Sequence, residues 1–255
     1  MSMPILAHDD VGEGARVVLF VHAFPVDRRM WRAQVEDVRR EGARAIAVDL
    51  AGFGASRANA PMTIDDHADS LAATLKERSV ERAVLVGLSM GGYVALAFAR
   101  RHPAMLAGLL LADTKATADS DEARTARQAN IERARREGVE AVFDAMLPKL
   151  SKRSMRAKVV AELRAMAREQ SVDGVVAALS AMRDRPDATA DLDAIAVPTR
   201  VVVGVDDGVT SIADAQAIAS RIRGAKLVEI DGAGHFANVD NPLGFAAPLH
   251  ELLRT

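Results

Sequence analysis

The sequence predicts an α/β fold: a mostly parallel central sheet with helices on both faces, interrupted by a helical insertion. Short apolar runs recur along the chain, several of them continuous, as in Val17-Val18-Leu19-Phe20-Val21 and Val201-Val202-Val203. Continuous runs fit strands buried on both faces, as in a parallel sheet covered by helices. Helical segments follow these runs, and regular alternation of the two argues for α/β architecture. Between residues 114 and 186 the strand signal disappears into sequence dense in Ala, Arg, Glu and Met, then resumes after Val197-Pro198.

The strand candidates are residues 5–8, 16–21, 43–49, 82–88, 107–112, 199–204 and 226–230. The helical segments between and after them are 27–40, 63–78, 90–101, 211–223 and 242–253. Two of these carry start signals. Thr63 followed by Asp66 resembles a capping box with Asp in the usual place of Glu, and Asn241-Pro242 supplies an N-cap followed by proline at the first helical position. Inside the insertion, breaks are expected near Gly138, Pro148 and Gly174. The expected organisation is a core domain built from residues 1–113 and 187–255, with residues 114–186 as a helical cap.

A chain of 255 residues fits one α/β domain with an insertion. With 49% apolar residues it can bury a core of ordinary size. Its 33 basic and 35 acidic residues are interspersed, so no broad field favours nucleic acid or an anionic membrane. The expected partner is a small molecule, with the chain a monomer or a homodimer. The absence of cysteine excludes disulfides, thiolate metal sites and cysteine nucleophiles. No basic leader precedes an apolar run at the start, and no run approaches the length of a membrane span, so the chain reads as cytoplasmic.

The chemistry concentrates at strand ends. Val84-Leu85-Val86-Gly87-Leu88-Ser89-Met90-Gly91-Gly92 is a buried-strand run flowing into G-x-S-x-G and then a helix. That pentapeptide arises by chance in about one chain in ten of this length, so context has to decide. A nucleophile elbow needs a strand, a sharp turn carrying Ser, and a helix, with small residues two positions before and after the Ser to let the turn pack. Gly87 and Gly91 supply them. A Ser in this place is also a good plain N-cap. The nucleophilic reading requires a base to take the hydroxyl proton and a carboxylate to orient that base, in the chain order Ser, acid, His.

Near the C-terminus, Ile230-Asp231-Gly232-Ala233-Gly234-His235-Phe236 reads as a strand end, a glycine-rich loop and one histidine. A solvated loop histidine is the bland alternative, but its position after Ser89 and after a strand-end acid favours His235 as the general base. The acid is open on these grounds. Asp206 and Asp207 follow the strand 199–204, Asp113 follows the strand before it, and any of the three could be an ordinary turn residue.

Taken together these segments resemble the α/β-hydrolase superfamily, in particular its esterase, non-heme haloperoxidase-like and 3-oxoadipate enol-lactonase-like members. The resemblance covers nearly the whole chain. Val21-His22-Ala23-Phe24-Pro25, with Trp31, resembles the family's H-G-x-P segment, and Asp49-Leu50-Ala51-Gly52-Phe53-Gly54-Ala55-Ser56 its D-x-x-G-x-G-x-S loop. Gly87 to Gly92 resembles the elbow, Gly204-Val205-Asp206-Asp207 the G-x-x-D acid loop, and Gly234-His235-Phe236 the G-H-x base loop. The resemblance implies Asp207 as the acid, backbone N–H groups of Phe24 and Met90 as an oxyanion hole, and His22 as a loop-shaping residue. Ala23 stands where the family usually has Gly, and a left-handed φ there would strain it.

Gly52-Phe53-Gly54 after a strand invites a dinucleotide reading, but position 57 is Arg where the third glycine would stand, and the elbow lacks the Lys-Ser/Thr pair of a P-loop. The six histidines form no close ligand pair, so neither a metal nor a cofactor is implied. Serine instead of aspartate at the elbow implies acyl transfer, an ester or lactone being cleaved through an acyl-enzyme. Perhydrolysis, haloperoxidase-like activity or carbon–carbon bond hydrolysis could use the same residues. A non-catalytic ligand-binding member of the fold is the alternative from another class, and it predicts a damaged triad.

Overall fold

A computed structural model describes residues 3–56, 62–151, 153 and 155–255. Arg57 lies outside them. Among these residues seven strands form the sheet: β1 His8–Val11, β2 Val17–Val21, β3 Arg44–Val48, β4 Ala83–Leu88, β5 Leu106–Ala112, β6 Thr199–Gly204 and β7 Lys226–Ile230. Their order is β1-β3-β2-β4-β5-β6-β7, with β1 antiparallel to β3 and the remaining pairs parallel. The expected α/β fold is present. Every residue of β2, β4 and β6 is buried, as the apolar runs of β2 and β4 require, and in β6 Thr199 and Arg200 are buried ahead of Val201 to Val203. Each fully buried Val or Leu contributes about 1.5–3 kcal/mol relative to exposure.

Among the described residues ten helices accompany the sheet: α1 Arg32–Arg40, α2 Ile64–Glu77, α3 Met90–Arg101, α4 Asp121–Glu137, α5 Val139–Leu150, α6 Ala157–Arg168, α7 Val172–Arg183, α8 Ile212–Arg221, α9 Ala237–Asp240 and α10 Pro242–Leu253. α1 packs with α10, and α2 with α3, covering the two faces of the sheet. α4 to α7 fill the chain between β5 and β6. Among the described residues no helix is long and apolar enough to cross a membrane.

The expected caps are present. Thr63 Oγ1 accepts from the Asp66 N–H at 3.1 Å while an Asp66 carboxylate oxygen accepts from the Thr63 N–H at 2.8 Å. The Asn241 side chain accepts from the Gly244 N–H at 2.9 Å, with Pro242 opening α10. Four expectations need correction. The first strand is β1 at His8–Val11, shifted along from the run 5–8, because a half-exposed strand at the sheet edge is set by its pairing with β3 and tolerates polar residues. The helix expected over 27–40 begins as a 3-10 turn, Arg28–Trp31, before α1. Pro148 lies inside α5, in its last turn, so the helix ends two residues after it instead of breaking before it. Gly174 sits in the first turn of α7 and is there for close approach, since a Cβ on it would lie 2.0 Å from the Gly52 carbonyl oxygen.

This strand order defines where a site forms. The chain passes from β2 outward to β3, then back across β2 to β4, so connections leave β2 and β4 in opposite directions. A crevice opens at the carboxyl ends of strands at such a switch point. The segment from His22 to Pro25 leaves β2 there, and Ser89 leaves β4.

Candidate active site

Ser89 joins β4 to α3 with φ 55° and ψ −113°, a left-handed backbone rare for any residue but glycine. Such a conformation costs on the order of 1–3 kcal/mol and persists only when its surroundings fix it. Four bonds do so. The Ser89 N–H donates to the Ala112 carbonyl at 2.9 Å, and its own carbonyl accepts from Gly92 N–H at 2.9 Å, Tyr93 N–H at 3.2 Å and the Thr114 hydroxyl at 2.9 Å. The small residues of the motif are needed on both sides. A Cβ on Gly87 would lie 2.3 Å from the Gly91 carbonyl oxygen, and one on Gly91 would lie 2.2 Å from that of Val21. The second contact brings the 22–25 segment against the elbow.

His235 is buried, and its Nε2 lies 2.9 Å from Ser89 Oγ while its Nδ1 lies 2.9 Å from Asp207 Oδ2. A carboxylate only accepts, so Nδ1 carries the proton and donates to Asp207, leaving Nε2 to accept from the serine hydroxyl. Asp207 is held in turn. Its Oδ1 accepts from the N–H groups of Val209 at 2.7 Å and Thr210 at 3.1 Å, and the Thr210 hydroxyl donates to its Oδ2. Burial alone would push the Asp207 carboxyl up, but His235 and these donors hold it below the usual carboxylate range.

The other two acids lie elsewhere. The Asp206 carboxylate meets Arg153 at 3.2 Å, and the Asp113 carboxyl accepts from the N–H groups of Gly204 and Ala237. His22 donates from Nδ1 to the Ala23 carbonyl at 2.9 Å and accepts at Nε2 from the Leu50 N–H at 2.9 Å, so it ties the 22–25 segment to the end of β3. Burial pushes its imidazole down, toward the neutral form those bonds require. Ala23 is unstrained, because the left-handed non-glycine residues among those described are Ser79, Ser89 and Asp113. Met90 opens α3, where the N–H has no acceptor inside the helix, and the Phe24 N–H has no acceptor among the described residues.

The Gly52-Phe53-Gly54 turn is filled by its own chain. The Gly54 N–H donates to Gln170 Oε1 at 2.8 Å, and a Cβ on Gly54 would lie 2.1 Å from the Asp49 carboxylate. Sequence motifs did not point to Thr114 or Gln170, whose roles come from contacts made far along the chain, nor to Thr210, which bonds Asp207 three residues before it. The same holds for the end of α5. The His235 N–H donates to the Leu150 carbonyl at 2.6 Å and the Gly208 N–H to that of Lys149 at 3.1 Å, so both loops are tied to carbonyls that a helix end leaves free.

The model of the Alpha/beta hydrolase family matches residues 18–247. The chain belongs to the alpha/beta hydrolase family. Among curated members it is similar to the AB hydrolase superfamily protein YisY of Bacillus subtilis, at 30% identity over 238 residues covering 90% of this chain and 88% of that protein. It is also 32% identical over 256 residues to the 2-succinyl-6-hydroxy-2,4-cyclohexadiene-1-carboxylate synthase of Klebsiella pneumoniae, covering 97% of each. Among solved structures, a thermophilic esterase from Thermogutta terrifontis superposes with a TM-score of 0.93 at 40% identity, over 98% of this chain and 93% of that one. The enol-lactonase of Burkholderia xenovorans LB400 superposes with a TM-score of 0.88 at 26% identity, over 98% and 94%. This alpha/beta hydrolase is therefore an enzyme with an esterase and an enol-lactonase among its structural neighbours, and its G-x-S-x-G segment between a strand and a helix has the form of the family's elbow.

Proposed function

We propose that this hydrolase cleaves a carboxylic ester or lactone of a small to medium substrate through an acyl-enzyme, with Ser89 as nucleophile, His235 as general base and Asp207 as the orienting acid. One observation carries the reading: an unbroken, buried relay from Ser89 Oγ through His235 to Asp207, with both links at 2.9 Å. Ser89 Oγ attacks the carbonyl carbon as its proton passes to Nε2, and the imidazolium is stabilised by Asp207. The carbonyl oxygen becomes an oxyanion facing the Phe24 and Met90 N–H groups, each such donor being worth about 3 kcal/mol in the transition state. The protonated His235 then gives its proton to the leaving alcohol, and water activated by the same imidazole releases the acid.

In this reading residues 114–186 are a cap over a core of residues 1–113 and 187–255. α5 fastens the acid and base loops from above, and Gln170 bridges the Gly54 N–H and Asp27 Oδ2 at 2.8 Å each. The partner is a small molecule; neither nucleic acid nor membrane is needed, and the setting is cytoplasmic. The 32% identity to a synthase favours one second reading, a reaction on the same residues other than ester or lactone hydrolysis. A panel of p-nitrophenyl esters of increasing acyl length, with lactones and hydrogen peroxide as added arms, separates them. The account expects a burst of p-nitrophenol at one equivalent per chain with short or medium esters. Failure of every ester and lactone to turn over would overturn it in favour of the second reading.

A further inference from the structure

Asp113 is a buried carboxyl that the relay does not use. It follows the last residue of β5 with φ 45°, so it shares the rare left-handed backbone of Ser89 at the end of the neighbouring strand. The Asp113 N–H extends the β5–β6 pairing by donating to the Val202 carbonyl at 2.9 Å, and its side chain is turned along the carboxyl edge of the sheet. There Oδ1 accepts from the Gly204 N–H at 2.8 Å and Oδ2 accepts from the Ala237 N–H at 3.3 Å.

These two donors lie at the roots of the two loops that matter. Gly204 ends β6 three residues before Asp207, and Ala237 opens α9 two residues after His235. The loops also touch directly, since a Cβ on Gly204 would lie 2.2 Å from the Gly234 carbonyl oxygen. One carboxyl thus spans the acid loop and the base loop, with one oxygen on each.

We propose that Asp113 is a positioning residue that fixes the base loop to the acid loop and so holds the His235 ring in line between Asp207 and Ser89. The proposal rests on the hydrolase reading above. A turn residue would face solvent and need only local bonds, whereas Asp113 is 1% exposed and bonded to residues 91 and 124 positions away. Burial first, and the negative charge of Asp207 second, push Asp113 well above the usual carboxylate range. A carboxyl kept where both factors oppose its charge is the kind of group that clusters at functional sites.

The test compares Asp113→Ala, Asp113→Asn and Asp207→Asn with the wild type in steady-state ester hydrolysis, with thermal melts as a check of folding. Misplacement of a reacting group by about 1 Å costs up to about a hundredfold, so Asp113→Ala should lose about ten- to a hundredfold in kcat with KM within about twofold of wild type. Asparagine keeps an acceptor for Gly204 but not for Ala237, so Asp113→Asn should lose less than Asp113→Ala and more than nothing. Wild-type kcat in either folded variant, or a change in KM alone, overturns the proposal. A loss at Asp113→Asn as deep as at Asp207→Asn also overturns it, because Asp113 would then be the acid. If Asp113→Ala does not fold, Asp113→Asn decides; if neither folds, the residue serves stability and the proposal fails. A wild type that turns over no ester shows failure of the underlying reading before any variant is measured.

Discussion

At the residue scale, Asp207 and His235 show how three aspartates that look alike in sequence are separated by contacts. Asp206 and Asp207 follow the same strand, yet the backbone turn leaves one beside Arg153 and the other under the imidazole. Asp207 accepts two N–H groups and a hydroxyl besides His235, so its carboxylate cannot swing away. Replacing it with Asn preserves size but removes the charge and permits the wrong imidazole tautomer, which in triads of this kind costs about ten-thousandfold in kcat. Asp207→Asn is therefore expected to lose activity on that order, and Asp206→Asn to stay within about tenfold of wild type. Steady-state kcat on the best ester checks both; a mild loss at Asp207 with a collapse at Asp206 would move the acid by one residue.

At the element scale, legibility followed burial and local bonding. α3 and α10 run over the expected residues, because an elbow serine and an Asn-Pro pair each fix a helix start by local chemistry. The central strands were legible because full burial favours apolar runs such as Val17 to Val21 and Val201 to Val203, while β1 was not, since His8-Asp9-Asp10-Val11 has no apolar run and is a strand through its pairing with β3. Pro148 and Gly174 misled for a related reason. Each is a breaker by local propensity, but the proline falls in a last turn and the glycine in a first turn packed on Gly52. Glycine-rich segments marked the loops bearing Ser89, Asp207 and His235, and these side chains meet in the fold. What holds them there was silent in sequence. Leu150 acts through its carbonyl, which every residue has, Thr114 and Asp113 act through partners chosen by the tertiary structure, and Thr210 acts through a turn to Asp207 that no motif marks.

At the scale of the whole molecule, a sheet that buries its strands on both faces also buries polar groups that respond to pH. His67 on α2 is 3% exposed, its Nδ1 has no hydrogen-bond partner among the described residues, and burial together with the nearby His22 lowers its pKa from 6.5 to about 4. In the unfolded chain the same imidazole takes a proton below about 6.5. The unfolded state then binds more protons than the folded one, so stability falls as pH drops from about 6.5 toward 4. The loss attributable to this residue is about 3 kcal/mol across the window. Urea melts at pH 7 and pH 4.5 are expected to show a smaller drop for His67→Leu than for wild type; equal drops would remove His67 from the account.

The same packing encloses the relay: Ser89 is 9% exposed and His235 1%, beneath chain from α5. In the proposed reading this enclosed serine, bonded to the His235 imidazole, is an activated nucleophile, whereas a serine that merely caps α3 would be inert. Mass spectrometry after treatment with a fluorophosphonate separates the two most directly. The account predicts a single adduct on Ser89 in the wild type, none in Ser89→Ala, and formation slowed by at least about a hundredfold in His235→Gln. No adduct in the wild type, an adduct at another residue, or labelling of His235→Gln at the wild-type rate would contradict it.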